Sequence, residues 1–313
     1  MIAPTPGSDG ATLARARTFR LLCFAVVCGL LLVVLYVISV RTHWGQTIDD
    51  AALDGRTTRA AVLTATDHVL NTISIASLAL GSAAIMLVAF ARRRPHLAFT
   101  AAAVILGSNV TTQLLKRVLL DRPDLIVRLD RFVLLHSFPS GHSTVAMSLA
   151  VGLVIVVPAR ARPLAALGGL GYATLVGAGT VTAGWHRPSD VVGAYLVVMA
   201  WAGGSLALLI GTEGIERTRP ARLLERVPSI SPFFAGVGVG LLLGAMTGVA
   251  GTLVVSQESQ LDVVDLGAAY AASIATIAGA ALVLLTVLLS MLRDLSLDPP
   301  DADTAELPAF AAA

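Results

Sequence analysis

Charge is scarce in this chain: 13% of its 313 residues are Asp, Glu, Lys or Arg, against about 25% in an ordinary soluble domain. That excludes a surface facing water over most of its area, and no nucleic-acid partner is expected. Cysteine is just as sparse. Cys23 and Cys28 are the two, both inside one apolar run, so they read as small buried hydrophobes rather than a disulfide or metal pair. The first apolar run follows arginines and ends in Tyr36–Val40 without a small-x-small cleavage pattern, which makes it a retained anchor rather than a removed signal. No internal repeat is visible.

What fills the space is hydrocarbon. Hydrophobic residues make up 56% of the chain and mean hydropathy is +0.80. Eight apolar runs, 19–40, 68–91, 97–115, 143–158, 164–185, 191–210, 233–255 and 266–292, lie mostly near the roughly 20 residues that cross a bilayer. The pattern predicts an all-α, polytopic membrane helix bundle: a six-span core over 19–212 and a two-span hairpin over 233–294. A cytoplasmic linker (213–232) joins them, between disordered cytoplasmic ends at 1–18 and 295–313. Gly236, Gly240, Gly244 and Gly248 form a stripe that lets another helix approach closely, either the last span or a second copy of the chain.

Net charge is only +2, so placement decides orientation. Arginines at 15, 17 and 20, at 92–94, at 160 and 162, at 217–226 and at 293 fall at alternate ends of successive runs. The positive-inside rule then places both termini in the cytoplasm, as expected of an integral plasma membrane protein. The segment 41–67 becomes extracytoplasmic, and within it Trp44–Arg59, with Trp44 at headgroup level and Asp49, Asp50 and Asp54, reads as a short interfacial helix or loop. Lys116, Arg117, Arg122, Arg128 and Arg131 breach the rule on that same outer side, as charges serving a site would.

Three clusters fall on this outer face. Pro139-Ser140-Gly141-His142 precedes an apolar helix whose N-terminal N–H groups and positive dipole end suit an anion. Gly141 permits close approach and the Ser140 hydroxyl can donate; an ordinary serine cap with an interfacial histidine fits the same letters. In His186-Arg187-Pro188-Ser189-Asp190, Asp190 can accept from imidazole Nδ1 and leave Nε2 free as a nucleophile. Lys116 and Arg122 can clamp phosphate oxygens, or simply snorkel at a bilayer edge. Asn109, Thr111, Thr112 and Gln113 in the preceding turns should face the bundle interior. About 44 residues separate the two histidines, which is one helix down and one back. Both imidazoles should therefore meet at one face, in a site that moves a phosphoryl group.

With these residues in view, the chain resembles the type 2 phosphatidic acid phosphatase superfamily, the lipid phosphate phosphatases, which also contains the vanadium haloperoxidases. Pro139–His142 matches its Pro-Ser-Gly-His motif. His186 and Asp190 match its histidine followed four positions later by aspartate, and Lys116 with Arg122-Pro123 matches its lysine and Arg-Pro. The resemblance covers about 19–210. It implies that His186 attacks phosphorus with Asp190 orienting it, and that His142 protonates the leaving oxygen. It also implies that Lys116, Arg122, Ser140 and the Gly141 amide hold phosphate oxygens, with no metal and no other cofactor. Two departures stand out: the Lys116–Arg122 spacing is one residue shorter than usual, and Gly179-Thr180 replaces a Ser-Arg pair. Arg187 or Arg128 are the substitutes within reach.

The expected function is hydrolysis of a lipid phosphate or diphosphate at the extracytoplasmic face through a phosphohistidine, with phosphatidic acid, phosphatidylglycerol phosphate and polyprenyl phosphates as fitting substrates. A phosphotransferase shares that intermediate. A membrane binding or transport protein with weakened turnover is the reading from a different class.

Overall fold

The structure, a computed structural model, describes residues 8–56, 60–71, 75–126, 137–213, 216–217, 235–243, 263–293 and 295–296. Its helices are α1 (Ser8–Leu35), α2 (His43–Asp54), α3 (Ala60–Asn71), α4 (Ile75–Ala91), α5 (Pro95–Leu114), α6 (Gly141–Val156), α7 (Arg162–Thr182), α8 (Pro188–Glu213), α9 (235–243) and α10 (Val263–Leu292). π-Helical turns, Tyr36–Val40 and Leu115–Leu119, extend α1 and α5. The one strand pairing among the described residues joins Glu216–Arg217 to Leu295–Ser296 over two residues. This is an all-α membrane helix bundle.

Five described helical segments are long and apolar enough to cross a membrane: Ala14–Val40, Pro95–Leu119, Ala159–Thr182, Pro188–Thr212 and Leu266–Leu292. Two further apolar helices are shorter, Ala76–Ala91 and Gly141–Val156. Of the second expected run, α3 up to Asn71 and α4 from Ile75 are described, and residues 72–74 lie outside the described residues. Of the seventh run only 235–243 lies within the described residues.

The helix α8 is central, with 67% of its spanning window buried against 17% for α1. It packs on α1, α5, α6 and α10, while α6 also contacts α5 and α7. The outer side of α1 presents Phe19, Val26, Leu30 and Val33, as a lipid-facing helix must. Between α5 and α6 two polar rungs cross the apolar contact: Asn109 Nδ2 donates to Ser148 Oγ at 3.2 Å, and the hydroxyls of Thr112 and Thr144 meet at 2.9 Å. Such bonds are worth about 0.6 kcal/mol each inside a bilayer, and they fix register more than they add stability. Asn109 and Thr111 are half-buried, Thr112 is buried and Gln113 is exposed. Thr111 Oγ1 accepts from Trp201 Nε1 of α8 at 3.0 Å, so of the four only Gln113 departs from the inward-facing expectation.

Arginines close the helix ends at the pole away from the histidines. Arg17 Nη1 donates to the carbonyls of Met291 (2.9 Å) and Arg293 (3.1 Å), and Arg162 Nη1 donates to Leu292 (3.1 Å). Arg92 Nη1 donates to the Val156 carbonyl at the end of α6. These are the carbonyls a helix C-terminus leaves without partners.

Four expectations change. Helix α1 starts at Ser8, so 8–18 is not an unstructured end; residues 1–7 and 297–313 lie outside the described residues, as does most of the 213–232 linker. Cys23 is exposed and only Cys28 is buried. The helix α9 meets α10 through Gly238, where a Cβ would lie 2.8 Å from Val283 and 3.2 Å from the Gly279 carbonyl, whereas Gly236 and Gly240 have nothing within 4 Å. Two residues of offset turn a helix by about 200°, so the stripe faces away from α10; Gly244 and Gly248 lie outside the described residues. Last, Asp49 and Asp50 are buried rather than interfacial.

Candidate active site

Two helix boundaries bring the histidines together. Ser140 caps α6, its hydroxyl accepting from the Ser143 N–H at 3.3 Å, and His142 follows in the first turn. At the other boundary α7 ends when Gly184 takes φ +74°, a left-handed conformation that suits glycine. The Trp185 and His186 N–H groups then fold back onto the Thr180 carbonyl at 2.9 and 3.2 Å. Pro188 starts α8 and puts Asp190 in its first turn. The rings of His142 and His186 end 6.4 Å apart between centroids, and Trp185 packs 5.3 Å from His142.

Asp190 holds the His186 side of this pair. Its Oδ2 faces His186 Nδ1 at 3.3 Å and accepts from the Arg187 N–H at 3.0 Å. Fully enclosed, it fixes the imidazole so that Nε2 is the free nitrogen. Lys116, half-buried in the π-turn, lies close enough to Asp190 and His142 to interact electrostatically with both.

Arg122 approaches from another direction. Leu120 is extended, so the Lys116–Arg122 spacing is not read along a helix and the one-residue shortening carries no helical rotation. Arg122 Nη2 sits 3.4 Å from Asp49 Oδ2 and 3.9 Å from Asp190 Oδ1. Its Nε and Nη1 are buried and have no hydrogen-bond partner among the described residues. Gly141, between Ser140 and His142, has Gln113 Nε2 3.5 Å from where a Cβ would stand. All seven expected site residues therefore converge: Lys116, Arg122, Ser140, Gly141, His142, His186 and Asp190.

The arginine expected at position 180 has no stand-in from position 187. Thr180 is fully buried, its hydroxyl donating to the Gly177 carbonyl at 2.8 Å, while Arg187 Nε donates to Asp50 Oδ1 at 2.7 Å. Arg128 lies outside the described residues.

The sequence reading missed the floor of the site. Asp49 accepts from Arg122, from the Ser189 hydroxyl and from the Ser189 N–H at 3.3 Å. Gln46 Nε2 donates to the carbonyls of Pro123 (2.7 Å) and Val40 (2.8 Å). Burial pushes the Asp49 carboxyl up to about 6; Arg122 draws it down, the Asp190 charge adds to the rise, and Ser189 and Arg187 lower it. A signal was present: 46, 49 and 50 share one helix face at the pole carrying the outer arginines.

Residues 72–213 match the model of the PAP2 superfamily. That stretch is consistent with a PAP2 superfamily core. That core runs from α4 to the end of α8, so α1, α2 and α10 lie outside it although all three pack against it. The match suggests phosphatase activity on phosphate esters, here in a membrane bundle. No curated protein and no solved structure matches the chain significantly.

Proposed function

We propose that this protein is an integral membrane phosphatase that hydrolyses a lipid phosphate or diphosphate at the extracytoplasmic face through a phosphohistidine. The observation that carries the reading is the His142–His186 pair, 6.4 Å apart, with one ring backed by Asp190 and buried Arg122 donors alongside. In the first step His186 Nε2 bonds to phosphorus as the ester P–O bond breaks, and His142 gives its proton to the departing alkoxide. Asp190 stabilises the resulting imidazolium. In the second step His142 takes a proton from water, whose oxygen bonds to phosphorus as the P–N bond breaks. Lys116, Arg122, the Ser140 hydroxyl and the Gly141 N–H hold the non-bridging oxygens at the α6 N-terminus, where charge builds up in both transition states.

A lipid substrate is supported by the site's position at the ends of membrane helices, where a headgroup is reached while its tails stay in hydrocarbon. The arginine contacts at the opposite pole support cytoplasmic termini in the plasma membrane. The open stripe at Gly236 and Gly240 supports contact with a second copy of the chain.

One observation favours a weaker catalyst of the same fold. Lys116, Arg122 and Arg187 face Asp190, Asp49 and Asp50, so these fixed charges balance and Thr180 adds none. Phosphate release by the detergent-purified protein from phosphatidic acid, phosphatidylglycerol phosphate and polyprenyl phosphates and diphosphates tests both. Release from one of them, abolished in His186→Ala, is the expected result; an equal rate in that variant overturns the mechanism. Product mass spectrometry with added acceptor alcohol identifies phosphotransfer.

A further inference from the structure

The strangest feature of this site is a pair of consecutive aspartates placed under it with almost no exposure. Asp49 and Asp50 retain 5% and 4% of their surface, on a helix outside the matched core. Burying a carboxylate costs several kcal/mol unless charge and hydrogen bonds compensate. Each therefore requires a definite partner, and the partners belong to the site. Asp50 takes Arg187. Asp49 takes two things at once: Arg122, from the loop after α5, and Ser189, from the turn between His186 and Asp190.

The guanidinium held this way is only partly used. Arg122 engages its carboxylates through Nη2, and its buried Nε and Nη1 find no acceptor among the described residues. A buried donor without an acceptor is destabilising, and a bound anion would satisfy it. Nothing local keeps Arg122 there, because Leu120 is extended and residues 121–125 form no helix. Two of its anchors come from α2, Gln46 on the Pro123 carbonyl and Asp49 on the guanidinium. Tyr36 and Arg41 hold the neighbouring Asp121, and Asp190 lies farther from the guanidinium, at 3.9 Å.

We propose that Asp49 is a positioning residue for phosphoryl binding: it holds Arg122 by Nη2, registers it against the His186 turn through Ser189, and leaves Nε and Nη1 for the oxygens of a phosphoryl group bound between His142 and His186. The proposal rests on the phosphatase reading for the identity of the anion. It assigns α2 a direct share in a site whose motifs lie elsewhere in the chain.

The test combines Asp49→Ala, Asp49→Asn, Arg122→Gln and the double variant Asp49→Ala/Arg122→Gln in the full-length detergent-purified protein. Two quantities are read: kcat and KM on whichever lipid phosphate the parent hydrolyses, and the dissociation constant of inorganic phosphate by calorimetry. Asp49→Ala should raise KM and the phosphate constant about tenfold with a smaller change in kcat. Asp49→Asn, which keeps an acceptor oxygen and removes a negative charge, should bind phosphate at least as tightly as the parent. In the Arg122→Gln background, Asp49→Ala should cost less than about twofold, because its partner is already gone. Multiplicative effects in the double variant, or Asn and Ala behaving alike, overturn the proposal. Where Asp49→Ala does not fold, Asp49→Ser, too short to reach Arg122, takes its place with the same expectations. A parent that binds phosphate but hydrolyses no ester overturns the phosphatase reading alone, and the binding comparison still decides the role of Asp49. A parent that binds no phosphate overturns the positioning role.

Discussion

The Ser140 N–H donates to the main-chain carbonyl of Asp190 at 2.9 Å. This bond joins the start of α6 to the start of α8, so the turns bearing the two histidines move as one. The same residue orients His186 through its side chain. Asp190→Asn keeps the main-chain link and removes the carboxylate, which isolates the orienting role. Phosphate release should fall by on the order of 10²-fold or more with KM little changed. A loss expressed mainly in KM would assign Asp190 to substrate binding instead.

The rings of His142 and His186 lie 6.4 Å apart between centroids, and the proposed mechanism assigns His142 to the leaving oxygen. General acid catalysis matters most when that oxygen is basic. His142→Ala should therefore cost about 10³-fold on an alkyl or lipid phosphate but about tenfold or less on p-nitrophenyl phosphate, whose phenolate departs unaided. Equal losses on both substrates would remove the acid role.

Much of this was legible because it is local. A proline, a cap residue and a histidine at a helix start identify the α6 end from four letters, and His186 with Asp190 needs one helical turn. Apolar length marked most of the spans, and α6 starts at Gly141, which draws His142 into the helix. The floor was not legible for the opposite reason. Asp49 is buried only because Arg122 and Ser189, 73 and 140 residues away, supply partners, and charge count alone reads an aspartate pair near a bilayer as solvated. Gly236 and Gly240 miss the last span on phase: periodicity marks where close approach is possible, but the facing Gly279 selects Gly238.

The helix α10 carries none of the expected chemistry, yet it packs directly on α2. Where Gly55, just after α2, meets α10, a Cβ would lie 1.7 Å from the Leu266 carbonyl oxygen. A backbone atom cannot swing aside, so Gly55→Val must displace one helix. The expected result is a thermal stability loss of about 1–3 kcal/mol together with weakened phosphate binding, as α2 carries Asp49 away from Arg122. Full activity in a stably folded Gly55→Val protein would disconnect α10 from the site.

Asp49 also gives stability a pH dependence of definite sign. Its carboxyl is raised from 3.8 in the free residue to about 6 in the fold, so the native state binds this proton more tightly than the unfolded chain does. The contribution is complete below about pH 3.8 and is lost as pH rises through about 6, amounting to at most about 3 kcal/mol. Asp49→Asn imitates the protonated form at every pH. Its melting temperature in detergent should match the parent near pH 4 and exceed it by several degrees above pH 6.5. A difference constant from pH 4 to 7 would show that Asp49 is ionised throughout, with Arg122 and Ser189 outweighing the burial and the Asp190 charge that oppose them.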